Sequence, residues 1–176
     1  MALRFQRALL LGALVGAATA AQVDEYQVKA AFLYNFAKFV EWPARAFNSA
    51  SAPIGVCILG ENPFGRALDT AMSGKSVDGH PFSIRQVTDA QGAGDCQILF
   101  VSSSERKRFH SILSDLKAAA GVLTVGDTEG FAAEGGVVNF KLEGDKVRIQ
   151  INVDAARQEN LRISSKLLSL AQIVKQ

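Results

Sequence analysis

Apolar side chains recur at helical spacing through residues 28–43, the stretch with the highest density of aromatic residues in the chain. At 100° per residue, one face of a helix would carry Val28, Phe32, Phe36, Phe39 and Val40. Lys38 and Glu41 would fall on the opposite face, as in an amphipathic helix with a buried stripe. Pro43 disfavours the helical conformation of the residue before it. The pattern therefore predicts a core helix that begins near Asp24 and ends at Pro43.

The middle of the chain alternates short apolar runs with helical patterns. Residues 54–59 are continuously apolar, as expected of a strand that is covered on both faces. In chain order, the predicted elements are a strand at 54–59, a helix at 64–72, strands at 82–87 and 97–101, a helix at 105–120 and a strand at 122–125. This order predicts a mainly parallel sheet with helices on both faces.

Beyond the last of these strands the pattern changes to strict alternation. Apolar residues alternate with polar ones in two runs, on either side of a turn at residues 143–145. This predicts an antiparallel hairpin with one solvent-exposed face. Asp154 is the predicted cap of a short helical turn, and Ser164 is the predicted cap of a helix that continues to Val174. The predicted fold class is α/β: a mainly parallel sheet flanked by helices, ending in an antiparallel hairpin and a C-terminal helix.

The first twenty residues have the three regions of a secretory signal peptide. Arg4 and Arg7 form a basic start, residues 8–18 are apolar, and the small residues at 18–20 match a cleavage site. The rival interpretation is a membrane anchor, but an apolar run of eleven residues is too short to span a bilayer. We therefore expect residues 1–20 to be removed, and residues 21–176 to form a single α/β domain in the periplasm.

The charge of the chain argues against a nucleic-acid partner. Lys and Arg number 19 and Asp and Glu number 17, a net charge of +2. Loss of Arg4 and Arg7 with the signal peptide would leave no net charge. Nucleic-acid binding requires a broad basic face, whereas the dense basic cluster of this chain is confined to residues 106–108.

Cys57 and Cys96 are the two cysteines of the chain. An even number of cysteines in an exported protein favours a disulfide, and the strands that carry these two can be neighbours in the predicted sheet. The alternative is a pair of buried free thiols. A metal site is not expected, because His80 and His110 lie in unrelated segments without ligand spacing.

The sequence contains none of the short catalytic motifs that can be recognised without an alignment. It has no G-x-S-x-G, no H-E-x-x-H, no P-loop and no G-x-G-x-x-G. We therefore predict no catalytic residues and no cofactor. A hydrolase with a clustered carboxylate or serine site remains as a rival, since one sequence cannot show which distant carboxylates pair for acid–base chemistry.

Two loops are candidates for binding. The first lies at the carboxyl edge of the predicted sheet, where parallel sheets bind their ligands. Its candidate ligand-pocket residues are Glu61, Asn62, Ser102, Ser103 and Ser104. The alternative is that these residues serve only in turns and helix caps.

The second candidate is the long loop at residues 126–136, which holds an aromatic residue between glycines. An aromatic side chain on such a loop is a reasonable anchor for a protein partner. The predicted partner-binding residues are Phe131, Glu134, Gly135 and Gly136. The alternative is that Phe131 folds back to close the core.

Four segments distributed along the chain carry a family resemblance. They are KAAFLYNFAKFVEWP from Lys29, ILGENPFG from Ile58, CQILFVSSS from Cys96, and the C-terminal segment that begins GFAAEGGVVNF at Gly130. The matches run in order from about Tyr26 to Val174, nearly the whole chain after the predicted signal peptide. Together they resemble the YfiR/HmsC-like family of small periplasmic regulators.

The resemblance implies a non-enzymatic periplasmic repressor. Such proteins bind the periplasmic domain of an inner-membrane diguanylate cyclase, and an outer-membrane lipoprotein can sequester them, which raises cyclic-di-GMP and promotes biofilm. The family often links the positions of Cys57 and Cys96; some members carry a second cysteine pair, which this sequence lacks. The alternative function is a periplasmic sensor that binds a small ligand. Self-association into a homodimer stays open.

Overall fold

Residues 14–116 and 121–175 are described by a computed structural model, with side chains from residue 25 onward. Residues 1–13 of the predicted signal peptide therefore lie outside the described residues, and residues 14–20 are the first turns of a long helix. Within the described part of the chain, no helix is both long enough and apolar enough to cross a membrane.

The described residues form helices, strands and two short 3-10 turns. The helices are α1 (Leu14–Phe39), α2 (Ala67–Met72), α3 (Phe109–Leu116), α4 (Val153–Gln158) and α5 (Ser165–Leu168). The strands are β1 (Val40–Glu41), β2 (Ile54–Leu59), β3 (Ser76–Val77), β4 (His80–Val87), β5 (Ile98–Val101), β6 (Leu123–Gly126), β7 (Val138–Glu143), β8 (Lys146–Asn152), β9 (Arg162–Ile163) and β10 (Gln172–Val174). The 3-10 turns are Ala44–Ala46 and Ser103–Glu105.

One large sheet has the strand order β10-β8-β7-β6-β5-β2-β4-β3. The central strands from β4 to β7 run parallel, and β8 returns antiparallel to β7 as the predicted hairpin. β10 lies parallel to β8 at one edge, and β3 lies antiparallel to β4 at the other. β1 and β9 pair separately. The predicted fold class, a mainly parallel sheet flanked by helices with a terminal hairpin, is confirmed.

Strands β2 and β5 are buried on both faces, which explains their uninterrupted apolar sequences. In β2 every residue is buried, and successive side chains point to opposite faces. Ile54, Val56 and Ile58 belong to a core that includes α1, whereas Cys57 and Leu59 belong to a smaller core that includes α3. We call these two sides of the sheet the α1 face and the α3 face.

Helix α1 ends earlier than predicted, at Phe39, and Val40 and Glu41 then form β1. The prediction placed Val28 on the buried face, but Val28 is 39% exposed. The buried stripe consists of Tyr26, Ala30, Leu33, Phe36, Ala37 and Val40. Phe32 lies half-buried at its margin. The prediction of the buried face was based on the large side chains alone. In the structure, Ala30 and Ala37 are also buried, which rotates the buried face away from Val28.

Helix α3 covers the opposite face. Its four predicted inward side chains are all buried: Phe109, Ile112, Leu113 and Leu116. The predicted helix at 105–120 starts as a 3-10 turn, and residues 117–120 lie outside the described residues. Cys57 and Cys96 form the predicted disulfide within this core, with their Cα atoms 6.0 Å apart. The α3 face is thus held by one short helix and a covalent link.

The C-terminal region departs from the prediction in two places. The side chain that caps α4 is Asn152, which accepts a hydrogen bond from the Ala155 N–H at 2.9 Å, and not Asp154. Ser164 caps the C-terminal helix as predicted, but α5 is a single turn. Gln172–Val174, expected in that helix, instead form β10 because their backbone pairs with the edge of β8.

Candidate functional site

The carboxyl ends of β2 and β5 meet where the strand order reverses, and the predicted ligand-pocket residues lie here. The structure brings three of these residues, Glu61, Ser102 and Ser104, into contact with one another. The Ser104 hydroxyl accepts a hydrogen bond from the Glu61 N–H at 2.9 Å. Ser102 caps the following turn, with its hydroxyl oxygen 3.4 Å from the Ser104 nitrogen. The Asn62 side chain accepts a hydrogen bond from the Phe64 N–H at 2.9 Å.

Gly60 shows how closely these two loops approach. A Cβ atom at this position would overlap the Ser104 hydroxyl and lie 2.8 Å from Cγ of Glu105. The space in which a parallel sheet usually binds its ligand is therefore filled by the neighbouring loop. Of the five predicted residues, Ser102 is buried and the others, Ser103 included, are exposed. They act in turns and caps, and a role in ligand binding stays a prediction.

The predicted partner loop at residues 126–136 corresponds to residues 127–137 between β6 and β7, and it is tightly packed. Phe131 is 0% exposed and packs on Phe109 of α3, with 5.6 Å between the ring centroids. Its ring lies between two glycines, and a Cβ atom at Gly126 or Gly136 would overlap it. Phe131 closes the α3 face of the sheet. This burial corrects its predicted role as an exposed anchor.

The remaining predicted partner-binding residues belong to the same loop. Glu134 is exposed, and its carboxylate lies within hydrogen-bond distance of the His110 imidazole of α3. Gly135 has a φ of 109°, a conformation that favours glycine, and Gly136 is buried against Phe131. Of the predicted partner-binding residues, Glu134 therefore offers an exposed side chain to a partner, and His110 lies beside it.

Two buried asparagines fix the backbone of the loop. The Asn139 side chain donates hydrogen bonds to the carbonyl oxygens of Gly126 at 3.2 Å and Thr128 at 3.0 Å. The Asn152 side chain donates to the carbonyl oxygen of Ala132 at 2.8 Å. Because a buried amide without partners is costly, these bonds favour one conformation of the loop.

The first residue of the loop, Asp127, connects it to the opening helix. Asp127 directly follows β6, at the carboxyl edge of the sheet. Its Oδ2 atom accepts hydrogen bonds from the Tyr26 hydroxyl at 2.8 Å and from the Lys29 ammonium at 3.1 Å. The side chains of Lys29 and Asp127 are 3% and 5% exposed, and Glu25 forms a second ion pair with Lys29. We call Tyr26, Lys29 and Asp127 the Asp127 centre.

Burial dominates the electrostatics of this centre. It raises the pKa of the Tyr26 hydroxyl well above its usual range, and the negative charge of Asp127 raises that pKa further. Tyr26 therefore remains a hydrogen-bond donor at neutral pH. The Lys29 ammonium lies 4.3 Å from the centroid of the Tyr26 ring, a cation–π contact. The Oδ1 atom of Asp127 is buried without a hydrogen-bond partner among the described residues.

The side chains of the Asp127 centre are largely buried and bond to one another, so the centre is suited to positioning α1 against the loop. A buried charge without its partner is strongly destabilising. The ion pair therefore favours the one position of α1 in which Lys29 reaches Asp127. None of these three residues was predicted from the sequence to have a functional role. A signal existed at Asp127, because a carboxylate directly after a buried parallel strand occupies the edge where such sheets place functional groups. In the described part of the chain, no three His, Cys, Asp or Glu side chains cluster as metal ligands.

A cleft of about 490 Å³ separates the loop from the hairpin of β7 and β8. The loop contributes Glu129 and Ala133, and the hairpin contributes Lys141 and Leu142. Leu142 is 49% exposed, although it continues the apolar face of β7 two residues beyond the buried Phe140. This loop–hairpin cleft presents an apolar side chain together with charges of both signs.

The solved structures that resemble this fold include two bacterial proteins. One is a conserved domain protein from Vibrio cholerae O1 biovar El Tor strain N16961, with 8% sequence identity, a TM-score of 0.53, and coverage of 70% of this chain and 55% of that chain. The other is the ABC domain in complex with L-Trp from Streptococcus pneumoniae, with 10% identity, a TM-score of 0.50, and coverage of 74% and 57%. The chain spans little more than half the length of either protein. At these identities the likeness concerns the fold alone.

Comparison of the sequence with known proteins identifies the family, which the structural likeness does not. No curated protein matches the chain. The YfiR/HmsC-like family model, however, matches residues 26–172. This range includes all three residues of the Asp127 centre, and both the loop and the hairpin that form the loop–hairpin cleft. The family is regulatory rather than catalytic. On this match, the chain belongs to the YfiR/HmsC-like family of periplasmic regulators.

Proposed function

We propose that the protein represses an inner-membrane diguanylate cyclase by binding the periplasmic domain of that enzyme. The observation that carries the proposal is the family match over residues 26–172, because the family consists of periplasmic regulators. Repression lowers cellular cyclic-di-GMP and, with it, surface attachment. Residues 1–20 have the pattern of a signal peptide, which would deliver the protein to the compartment of its partner.

The loop–hairpin cleft is the surface that we assign to this partner. Asn139 and Asn152 hold the loop in place, and a preformed surface loses little conformational entropy on binding. Leu142 replaces Phe131 as the candidate anchor, since Leu142 is 49% exposed and Phe131 is 0% exposed. Glu134, which is also exposed on the loop, belongs to the polar rim of this surface.

The charge balance supports binding through short-range contacts. Without Arg4 and Arg7, the positive and negative side chains are equal in number, so long-range attraction contributes little to association. Affinity would come from the apolar contact at Leu142, with hydrogen bonds at Glu129 and Lys141 beside it. An outer-membrane lipoprotein that covers the same cleft would release the cyclase, and a homodimer that buries the cleft would do the same.

The test is a deletion strain complemented with single variants. Deletion should raise cyclic-di-GMP and surface attachment, and the wild-type gene should restore both. Leu142→Glu would place an unpaired charge in the interface. It should fail to complement and should weaken binding to the purified periplasmic domain by about tenfold or more. Leu170→Glu is the matched control, since Leu170 is 69% exposed and does not line the cleft, and it should repress like the wild type.

Two results would contradict the proposal at different levels. Unchanged cyclic-di-GMP after deletion, with the cyclase expressed, would exclude repression and favour the small-ligand sensor. Normal repression by Leu142→Glu would leave repression standing but would exclude the loop–hairpin cleft as the interface. Equal periplasmic levels of the two Glu variants establish that stability does not cause the difference.

A further inference from the structure

A second cavity lies at the opposite, amino-terminal edge of the sheet. Its volume is about 270 Å³, far more than one buried water molecule requires. The starts of β2 and β5 and the 3-10 turn Ala44–Ala46 contribute to its walls. A cavity of this size admits a small metabolite or an inorganic ion, but not a folded segment of a protein.

One buried amide forms the floor of this cavity. Gln97 is 5% exposed; its side chain accepts a hydrogen bond from the Gly55 N–H at 2.6 Å and donates one to the Ala46 carbonyl oxygen at 2.5 Å. The Trp42 indole donates to the carbonyl oxygen of Gln97 at 3.1 Å. These bonds join the 3-10 turn to the ends of two strands, so the cavity is preformed.

Two guanidinium groups, those of Arg45 and Arg85, line the cavity. The Arg85 side chain is held against the disulfide, with Nε 3.3 Å from Sγ of Cys57 and Nη2 3.5 Å from Sγ of Cys96. Sulfur is a weak acceptor, so these contacts orient the guanidinium without neutralising its charge. Among the described residues, neither arginine has a carboxylate within ion-pair distance.

Two carboxylates lie near these arginines and reduce the local positive charge. Asp95 lines the cavity but is exposed to solvent. Burial raises the pKa of Glu159, and hydrogen bonds from the backbone N–H groups of Gly121 and Val122, followed by the charge of Arg45, partly oppose this rise. The Glu159 carboxylate accepts a hydrogen bond from the Gly121 N–H at 3.1 Å and does not reach the guanidinium. Both guanidinium groups therefore retain donors for a ligand.

We propose that this cavity binds a small oxyanion, either a carboxylate or a phosphate group, between Arg45 and Arg85. The planar guanidinium fork matches both kinds of anion with paired hydrogen bonds, and arginine stays charged at any physiological pH. The site does not depend on the repression proposed above, because it lies at the other edge of the sheet from the loop–hairpin cleft.

The experiment follows the amide and arginine Nε–H signals of isotope-labelled protein, purified from the periplasm, by NMR. Inorganic phosphate and succinate are titrated separately at constant ionic strength, and sodium chloride serves as the salt control. Saturable shifts at Gly55, Gly94 and the Arg85 Nε–H are expected for at least one of the two anions. The anion that saturates at the lower concentration distinguishes phosphate from carboxylate as the preferred group.

Variants separate a specific site from general attraction by positive charge. Arg45→Gln and Arg85→Gln should each weaken binding about tenfold or more, and Arg85→Lys, which keeps the charge but loses the fork, should fall between them and the wild type. Arg148→Gln, on the hairpin, is the matched control and should bind like the wild type. Unchanged signals from the hairpin for the Arg45 and Arg85 variants, and from the strands β2 and β5 for Arg148→Gln, verify that each variant is folded. Shifts that do not saturate, an equal response to sodium chloride, or undiminished binding by both Gln variants would overturn the proposal.

Discussion

The two faces of the sheet are covered in different ways. The α1 face packs against a long helix whose Phe36 is fully buried and stacks on Phe140, with 6.0 Å between the ring centroids. The α3 face has a helix of 8 residues, the disulfide and the ring of Phe131. One face is stabilised by helix packing, and the other by a covalent link and a single inserted ring.

This difference shows what a short helix needs in order to cover a sheet. Stabilisation grows with the apolar area removed from water, at about 25 cal/mol per Å², and α3 offers only two turns of buried side chains. Phe131 fills the remaining space because Gly126 and Gly136 carry no side chains there. The α3 face thus depends on a loop, and the same loop forms one wall of the proposed partner surface.

The largest expected losses of stability follow truncation of the buried phenylalanine on each face of the sheet. Phe36→Ala and Phe131→Ala should each lower the free energy of unfolding by about 3–5 kcal/mol, because both rings are fully buried. Urea unfolding followed by circular dichroism measures this loss. A loss below about 1 kcal/mol for Phe131→Ala, the range of an ordinary surface substitution, would show that the ring does not support the α3 face.

Gly136→Ala provides a control for the same prediction. The added methyl group would overlap the Phe131 ring, so this change should destabilise the wild-type protein. In the Phe131→Ala background its effect should be much smaller, and a double-mutant cycle measures the difference. If the two free-energy changes were additive, Gly136 and the Phe131 ring would not be in contact.

The covalent link of the α3 face should have the next largest effect. Replacing Cys57 and Cys96 together by Ala should lower the free energy of unfolding by about 2–4 kcal/mol, because the bond closes a sequence separation of 39 residues. Reduction of the wild-type protein should cause a similar loss. Thiol labelling of the denatured, unreduced protein from the periplasm should find no free cysteine, and labelled thiols there would contradict the bond.

The smallest of these effects concerns the Asp127 centre, which joins the α1 face to the loop. Tyr26→Phe removes a hydrogen bond to Asp127 and should cost about 1.5–3 kcal/mol at neutral pH. Folding raises the pKa of Tyr26, so its contribution is complete below the unfolded-state value of 10.0 and is lost as the pH rises toward the folded-state pKa. Between pH 10.0 and the folded-state pKa, the wild type should lose stability more steeply than Tyr26→Phe as the pH rises. Parallel curves would contradict this linkage.

Elements were predictable where every buried side chain is large and apolar. In β2 and α3 the pattern itself identifies the buried positions. The buried face of α1 was misplaced because Ala30 and Ala37 turn inward and Val28 does not. The strands β1, β3 and β9 have two residues each, too few to show an alternating pattern. Strand β10 has helical spacing, but pairing with the distant β8 decides its structure.

The candidate site was less accessible to prediction. Glycines on both sides of Phe131 are compatible with an exposed anchor and with a tight internal cavity, and packing against Phe109 decides between them. Tyr26 and Asp127 are separated by 101 positions, and one sequence cannot reveal a pair at that distance. The cysteines were the exception, because compartment and an even count supply information that local patterns lack.

The pairing of β1 with β9 has a consequence for how the protein folds. Val40, the residue directly after helix α1, pairs with Ile163 of β9, more than 120 positions later in the sequence. Contacts between such distant residues require loop-closure entropy to be lost before they stabilise the chain, and folds rich in them form slowly. A chain that emerges with its N-terminus first cannot form this pair until β9 is free. The pairing of β1 with β9 therefore forms only after residue 163 has emerged, later than contacts between residues that are close in the sequence.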